Sequence, residues 1–288
     1  MKTDVTVALS VYNAEEHIGS CLKSILTQTA NNFEVLVVED PPYDQTKHIV
    51  ASFKDKRIKY FRNQTRLGIS STRNKCLELA EGKYIFFTDD DCVASPDWIQ
   101  QGLFSLLEKN YIGVEGKTYY VSKEYAPTRS DNVVENKNGG EYPTCNIAYK
   151  KSVLNDIGGF DERYTYMEDR DLALRAKRLG RIGFSPNMIV YHQKKTVTPR
   201  EFVQKANEVR NRVLIRKKFH DKDYFIWRIL YPMHLVTILF PPLIFGSFFK
   251  NRYKTKEDFA LFPFIYIQLL NERLNFWDMC VRERIFLI

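Results

Sequence analysis

The chain has 288 residues, 44% of them hydrophobic, and a formal charge of +8. That length and apolar content supply a core for a large domain with an appendage, and exclude a chain dominated by disorder. Its five cysteines, Cys21, Cys76, Cys92, Cys145 and Cys280, are scattered and form no C-x-x-C pair, which argues against a redox dithiol or a zinc knuckle and for a reducing, cytosolic setting.

The start "MKTDVTVALS" has no apolar stretch behind a basic end and reads as the start of a mature chain without a secretory leader. From there to about residue 192 the pattern alternates strand with helix, which predicts an α/β fold: a mostly parallel, Rossmann-like sheet flanked by helices. "VTVALSV" (Val5 to Val11) is a β-branched apolar run and predicts the first strand. A helix follows, with Asn13 as its cap, Glu16 completing a capping box, and Ile18, Cys21, Leu22, Ile25 and Leu26 at helical spacing. "FEVLVVED" (Phe33 to Asp40) predicts a second buried strand, stopped by Pro41 and Pro42. A short strand near Lys59 to Phe61 precedes a helix from Ser70 to Ala80 that Gly82 closes.

"KYIFFT" predicts the next strand and runs directly into "DDDC"; Ser95 and Pro96, the latter at the first helical position, then start a helix at Trp98. Ser122 to Pro143 is polar and aperiodic, the pattern of a mobile loop beside a site. "TCNIAYKK" returns to strand character, "IGGFDERYTYMED" is a turn-rich connection, and Asp169 to Leu179 is a helix with Leu172, Ala176 and Leu179 on one face and Gly180 past its end. "MIVYH" is a further strand, ending at His192. The character changes near Thr196. Residues 1–195 read as one α/β domain and residues 196–288 as a helical, apolar C-terminal extension. The latter holds a basic helical stretch (Pro199 to Phe219), an apolar segment (Ile229 to Phe249) and a mixed apolar stretch from Phe259 onward.

The positive charge gathers late, in Arg210, Arg212, Arg216, Lys217, Lys218 and Lys222, then Lys250, Arg252, Lys254 and Lys256. These groups bracket the most apolar part of the chain, as charges do beside an anionic membrane surface, and no basic and aromatic residues interleave on one sheet face as a nucleic-acid binder requires. Ile229 to Phe249 has the ~20 residues that span a bilayer. Pro232, His234, Pro241 and Pro242 interrupt it, which favours a bent, re-entrant or interfacial arrangement; a helical subdomain or homo-oligomer interface is the alternative.

In an open α/β sheet, ligands bind at the carboxyl ends of strands. Glu39 and Asp40 follow one strand there, and Asp89, Asp90 and Asp91 another. Like charges this close resist joint ionisation unless a cation offsets them, and oxygen ligands favour Mg²⁺ or Mn²⁺ over zinc. A carboxylate such as Asp40 accepts hydrogen bonds from a uracil or guanine edge; it equally suits a turn before Pro41. Glu168 and Asp169 open a helix, where the dipole keeps a carboxylate ionised, as a general base must be, and where acids also stand for stability alone. Arg175 pairs with Asp171 at i,i+4 spacing. Arg73 suits a base or phosphate contact or an exposed helix position, His192 a metal or diphosphate contact or a structural role, and Asn146 a sugar hydroxyl contact or an ordinary strand position.

In order, "VALSVYNAEEHIGSCLKSILTQT", "FEVLVVED", "TRLGISSTRNKCLELAEGKYIFFTDDDCVASPDWI" and "GGFDERYTYMEDRDLALRAKRLG" resemble the motif succession of the inverting family 2 glycosyltransferases of GT-A fold, over roughly Thr3 to His192. The resemblance implies a metal-dependent transfer of a sugar from a nucleotide diphosphate, UDP favoured, to a hydroxyl of a glycan or lipid-linked acceptor. It places Ser10, Tyr12 and Asp40 around the base, Arg73 near the nucleotide, Asp91 at a Mg²⁺ or Mn²⁺ ion, Asp89 at the ribose or the same ion, and Asp169 of the Glu168–Asp169 pair as the general base. The residues themselves add Asp90 to the donor site and His192 to the metal, and residues 1–195 then form the nucleotide-sugar-binding catalytic domain. Ser10 stands where a proline is common, Glu39 where an aspartate is frequent, and "PPYD" where a small flexible turn is usual. With the basic C-terminal third, the location implied is the cytosolic face of a membrane. A non-catalytic binding module is the rival from another class. A nucleotidyltransferase would need a Gly-rich basic loop after the first strand, and "SVYNAEEH" is not one.

Overall fold

The computed structural model describes residues 3–121, 134–193, 198–219 and 256–285. They divide into two compact units, one of residues 3–121 and 134–193, the other of residues 198–219 and 256–285.

The first unit is built on an eight-stranded sheet. In chain order its elements are β1 (Val5–Val11), α1 (Ile18–Leu26), β2 (Phe33–Glu39), α2 (Thr46–Ser52), β3 (Ile58–Arg62), α3 (Ile69–Leu79), β4 (Tyr84–Phe87), β5 (Cys92–Ala94), α4 (Trp98–Glu108), β6 (Gly113–Val121), β7 (Ile147–Lys150), α5 (Lys151–Asp156), α6 (Glu168–Ala176) and β8 (Ile182–Gln193). The spatial order is β3-β2-β1-β4-β7-β6-β8-β5. Strands β3, β2, β1 and β4 run parallel, as do β6 and β8, while β7 is antiparallel to both β4 and β6 and β5 is antiparallel to β8.

Every residue of β1 and β2 is buried, which is why both read as predominantly apolar runs, interrupted by the buried Thr6, Ser10, Glu34 and Glu39. Alternation then sorts their side chains. Val5, Val7, Leu9 and Val11 pack with Ile18, Leu22 and Ile25 of α1 and Trp98 and Ile99 of α4. Ala8, Leu36 and Val38 pack on the other face with Cys76 and Leu77 of α3 and Leu172, Ala173 and Ala176 of α6. The two layers leave the carboxyl ends of β1 and β2 open.

Several local expectations change. No Asn13 capping box forms: α1 begins at Ile18 with His17 as its cap, and Asn13 has φ 51°. The loop stays non-helical because Glu15 is tied across to the loop after β2, its N–H donating to Asp44 (3.0 Å) and its carboxylate accepting from Gln45 N (3.0 Å). Gly82 closes no helix. The chain is already extended at Ala80, and a Cβ on Gly82 would stand 2.5 Å from Thr6 N, so glycine is needed there for close approach to β1. Pro96 lies two residues before α4 rather than at its first position, and Leu179, beyond the end of α6, is 52% exposed.

Strand β6, with two glycines, a glutamate and a lysine, carries no strand signature in sequence. The polar stretch predicted as a mobile loop falls partly outside the described residues. From residue 134 to 143 it is pinned to β6: Asn136 and Thr118 exchange backbone hydrogen bonds (2.9 and 3.1 Å), and the buried Glu115 carboxylate accepts from Gly140 N, Tyr142 N and Asn136 Nδ2.

In the second unit the basic stretch forms two helices, α7 (Pro199–Gln204) and α8 (Glu208–Lys218), joined by a 3-10 turn at Lys205–Asn207. Thr198 and Glu201 cap α7 reciprocally, with Pro199 at its first turn. A long helix, α9 (Lys256–Arg282), packs Phe276, Met279 and Cys280 against Val209 and Val213 of α8. Among the described residues no helix is long and apolar enough to cross a membrane. The apolar segment Ile229 to Phe249 lies outside the described residues.

Candidate active site

Where β1 and β2 end, a cavity of about 220 Å³ opens, lined by Ser10, Val11, Tyr12, Asp40, Arg66, Gly68, Ile69 and Thr72. The expected Ser10, Tyr12 and Asp40 are thus brought together. Ser10 Oγ is buried and has no hydrogen-bond partner among the described residues, and a buried hydroxyl left so is costly unless a ligand satisfies it. Tyr12, 40% exposed, lies under the Arg66 guanidinium, 4.5 Å from its ring centroid.

Asp40 departs from the expectation of a carboxylate held out to a base. It is 4% exposed and already accepts from Asn63 Nδ2 (2.8 Å), Leu67 N (3.1 Å) and Gly68 N (2.7 Å). It lines the cavity and at the same time holds the loop that forms the far wall and leads into α3. Gly68, at φ 85°, allows that loop to turn into the helix. Glu39 is buried away from the cavity, accepting from Arg62 Nε (2.8 Å) and the Tyr60 hydroxyl.

The second cluster stands on the turn between β4 and β5. Arg73, on α3, is buried and faces this turn instead of lining the cavity: Nη2 donates to Asp89 Oδ1 (3.1 Å) and Nη1 to Glu168 Oε1 (2.5 Å). Asp89, expected at the metal, is therefore engaged by Arg73. Asp91 and His192 do come together, Oδ1 to Nε2 at 3.5 Å, with Cys92 Sγ 3.8 Å from the same oxygen. His192 stands where the sequence reading put it, but the acids are not free of sulfur, because the fold also puts the Cys92 thiol beside Asp91. His192 Nδ1 donates to Gln193 O (3.1 Å), which turns the Nε2 lone pair toward Asp91. An oriented imidazole and a carboxylate fit a divalent cation. Asp90 is half-buried in the same turn. The acidity of the turn is felt by Cys21 on α1, whose thiol is pushed well up by burial and then by Asp90, Asp91 and Asp89.

The third group opens α6, where Met167 at φ 62° turns the chain into Glu168 and Asp169. The helix start was expected to keep Asp169 firmly ionised. Burial first, and the neighbouring Glu168 carboxylate second, instead raise its pKa to about 7, against the opposing effects of Arg73 and of the Arg170 N–H that donates to it at 2.7 Å. A carboxyl poised there is matched to proton transfer near neutral pH. The Asp171–Arg175 pair forms as expected (2.7 Å), and Arg175 also donates to Ile157 O. Asn146 is not a sugar contact: it is fully buried in a 3-10 turn and bonded to Trp98 Nε1, Lys117 O and Met188 O.

Sequence reasoning missed Arg66, Thr72 and Cys92. The Gly68 that breaks the pattern just ahead of α3 is the one local signal for the first two. Nothing local marks Cys92.

The family model described as "Glycosyl transferase family 2" matches residues 6–160. The UDP-Glc:alpha-D-GlcNAc-diphosphoundecaprenol beta-1,3-glucosyltransferase WfaP of Escherichia coli is 30% identical over 172 residues, which cover 59% of this chain and 68% of WfaP. The glycosyltransferase GlyA of Streptococcus pneumoniae is 31% identical over 172 residues, 59% of this chain and 23% of GlyA. Two solved structures share the fold. S. aureus TarS 1-349 in complex with UDP has a TM-score of 0.60 at 20% identity, covering 98% of this chain and 92% of TarS 1-349. The mannosyltransferase PcManGT from Pyrobaculum calidifontis, in complex with GDP-Man and Mn2+, has a TM-score of 0.64 at 16% identity, covering 96% and 88%. The fold is that of the GT-A glycosyltransferases, and with more than half of its length matched the chain belongs to glycosyl transferase family 2.

Proposed function

We propose that this enzyme transfers a sugar from a UDP-sugar to a hydroxyl of a lipid-linked acceptor, with inversion. The observation that carries this reading is the placing of Asp169, with its pKa raised to about 7, on a helix tied through Glu168 and Arg73 to the acidic turn beside the cavity. Proton acceptor and donor site are thereby held in one frame.

Ser10, Tyr12 and Arg66 receive the nucleoside, and Asp40 shapes the pocket through the loop it holds. Asp91 and His192 would hold Mg²⁺ or Mn²⁺, an ion that when bound offsets the charge of the diphosphate. Asp169 takes the proton of the acceptor hydroxyl as that oxygen attacks the anomeric carbon, and the bond from that carbon to the diphosphate oxygen breaks with its electron pair going to the departing UDP. A single displacement inverts the anomeric centre. WfaP is named for UDP-Glc and a diphosphoundecaprenol-linked acceptor, which supports this choice of donor and acceptor class. We assign residues 1–195 to catalysis and residues 196–288 to holding the enzyme at the cytosolic membrane face, where such acceptors are reached.

Purified full-length chain offered UDP-sugars and a diphosphate-lipid-linked sugar in detergent should release UDP and give a product of inverted anomeric configuration by NMR. UDP release from no donor tested, or a retained configuration, overturns the proposal.

A further inference from the structure

We propose that Asp91, Cys92 and His192 form a site for a thiophilic divalent cation of the Zn²⁺ class, which competes with the Mg²⁺ or Mn²⁺ that serves transfer. The inference rests on Asp91 and His192 being the metal-holding pair and adds a third ligand, Cys92, that changes the metal the site prefers. Cys92 and His192 are cross-strand partners in the antiparallel β5–β8 pair, so their side chains share one face of the sheet. Asp91 precedes Cys92 directly, and its Oδ1 lies 3.5 Å from His192 Nε2 and 3.8 Å from Cys92 Sγ, all three atoms falling within 4.8 Å of one another.

These separations have a physical meaning. Zinc bonds of about 2.0–2.3 Å at tetrahedral angles put neighbouring ligand atoms about 3.3–3.7 Å apart. The Asp91 oxygen therefore stands close to a tetrahedral edge length from both other atoms before any ion is added. The backbone carbonyl of Gln193 holds the imidazole with Nε2 turned inward, as an outer partner does for metal-bound histidine. Cys92 and His192 are 1% and 3% exposed, so the ion would sit in a water-poor pocket reached from the side of Asp91. Magnesium prefers an all-oxygen shell, whereas one thiolate with one imidazole selects zinc, and cobalt as its spectroscopic substitute. Binding forms the metal–sulfur bond as the Cys92 S–H gives its proton to solvent; no electron transfer is involved. Three protein ligands leave the fourth position for water or a diphosphate oxygen.

Co²⁺ titrated into the chelator-treated full chain is the test, read by absorption. A near-ultraviolet sulfur-to-cobalt charge-transfer band, abolished by equimolar Zn²⁺, is expected. Cys92→Ser should lose the band and weaken Zn²⁺ binding by more than the roughly 10- to 100-fold that loss of an outer partner costs. Cys92→Ala repeats the test without a buried hydroxyl, and thermal unfolding shows that either variant folds. Cys145→Ser should keep the band. Absence of a band in the folded wild type, or a band that survives Cys92→Ala or vanishes in Cys145→Ser alone, overturns the proposal. Calorimetry of UDP with Mn²⁺ on the same samples tests the transferase reading separately: a cobalt–thiolate band without metal-dependent UDP binding would keep this site and sink that reading.

Discussion

Arg73 and Glu168, 95 residues apart in sequence, meet in a buried ion pair at 2.5 Å while the other arm of the same guanidinium holds Asp89. The pair joins α3 to the first turn of α6, and so fixes Asp169, the proposed base, relative to the acidic turn. Arg73→Met should leave two carboxylates without their cation. We expect a loss of stability of about 3–5 kcal/mol, measured by denaturant unfolding, and Arg73→Lys, which keeps the charge but not the planar fork, should recover part of it. A change within 0.5 kcal/mol for Arg73→Met would show that the pair holds nothing together.

Asp169→Asn should keep UDP affinity near normal and lower transfer by roughly 10²-fold or more. Wild-type turnover in this variant would move the base elsewhere, with Glu168 the first residue to test.

The pH dependence has a definite sign. In its proposed role Asp169 can accept a proton only when deprotonated, so transfer should rise through a pH of about 7 and level off above it. Stability runs the other way. Because the folded pKa is raised from 3.8 to about 7, the folded state binds the proton more tightly, and the contribution of Asp169 is lost as pH climbs across that window. Asp169→Asn should flatten both curves; unchanged unfolding midpoints between pH 4 and 7 in wild type and variant alike would refute the linkage.

Asp91→Ala and His192→Ala should each abolish the strengthening of UDP binding by Mn²⁺ while the fold persists, as read by calorimetry and circular dichroism. Metal dependence that survives in both variants would place the cation elsewhere.

Asp40→Ala separates two roles. If the carboxylate holds the 63–68 loop, the variant leaves Leu67 N and Gly68 N without their acceptor, at about 1–3 kcal/mol, and UDP affinity falls together with the melting temperature. A fall in affinity at unchanged melting temperature would assign Asp40 to the base alone.

Most of the order of strands and helices was legible because the buried strands β1 and β2 are dominated by apolar residues, whereas α2, β5, β6 and α5 went unread; the acidic turn was legible because three adjacent carboxylates are costly without a use. What stayed hidden depends on contacts between distant segments. The start of α1 is set by the tie from Glu15 to Asp44, the direction of Arg73 by carboxylates 16 and 95 residues away, and the burial of β6 by the Glu115 hydrogen bonds to residues 136–142. The proximity of Cys92 to His192 follows from antiparallel pairing of a three-residue strand, too short to announce itself in sequence.

The β5–β8 ladder also decides which changes of chain length the enzyme can survive. Gln193 N donates to Asp91 O (2.8 Å) and Ser95 N to Ile189 O (2.9 Å), so the strand from Ile189 to Gln193 is in fixed register with Asp91. Inserting one residue there would turn His192 to the opposite face and bring Tyr191 toward the acidic turn, and deleting one would bring Gln193 there. Just upstream the register against β6 shifts, Gly116 facing Ser185 while Lys117 faces Ile189, and Pro186 and Asn187 stand exposed in the gap. Relatives that differ in length along this strand should therefore carry the extra or missing residues in that gap, leaving the five residues before Lys194 ungapped.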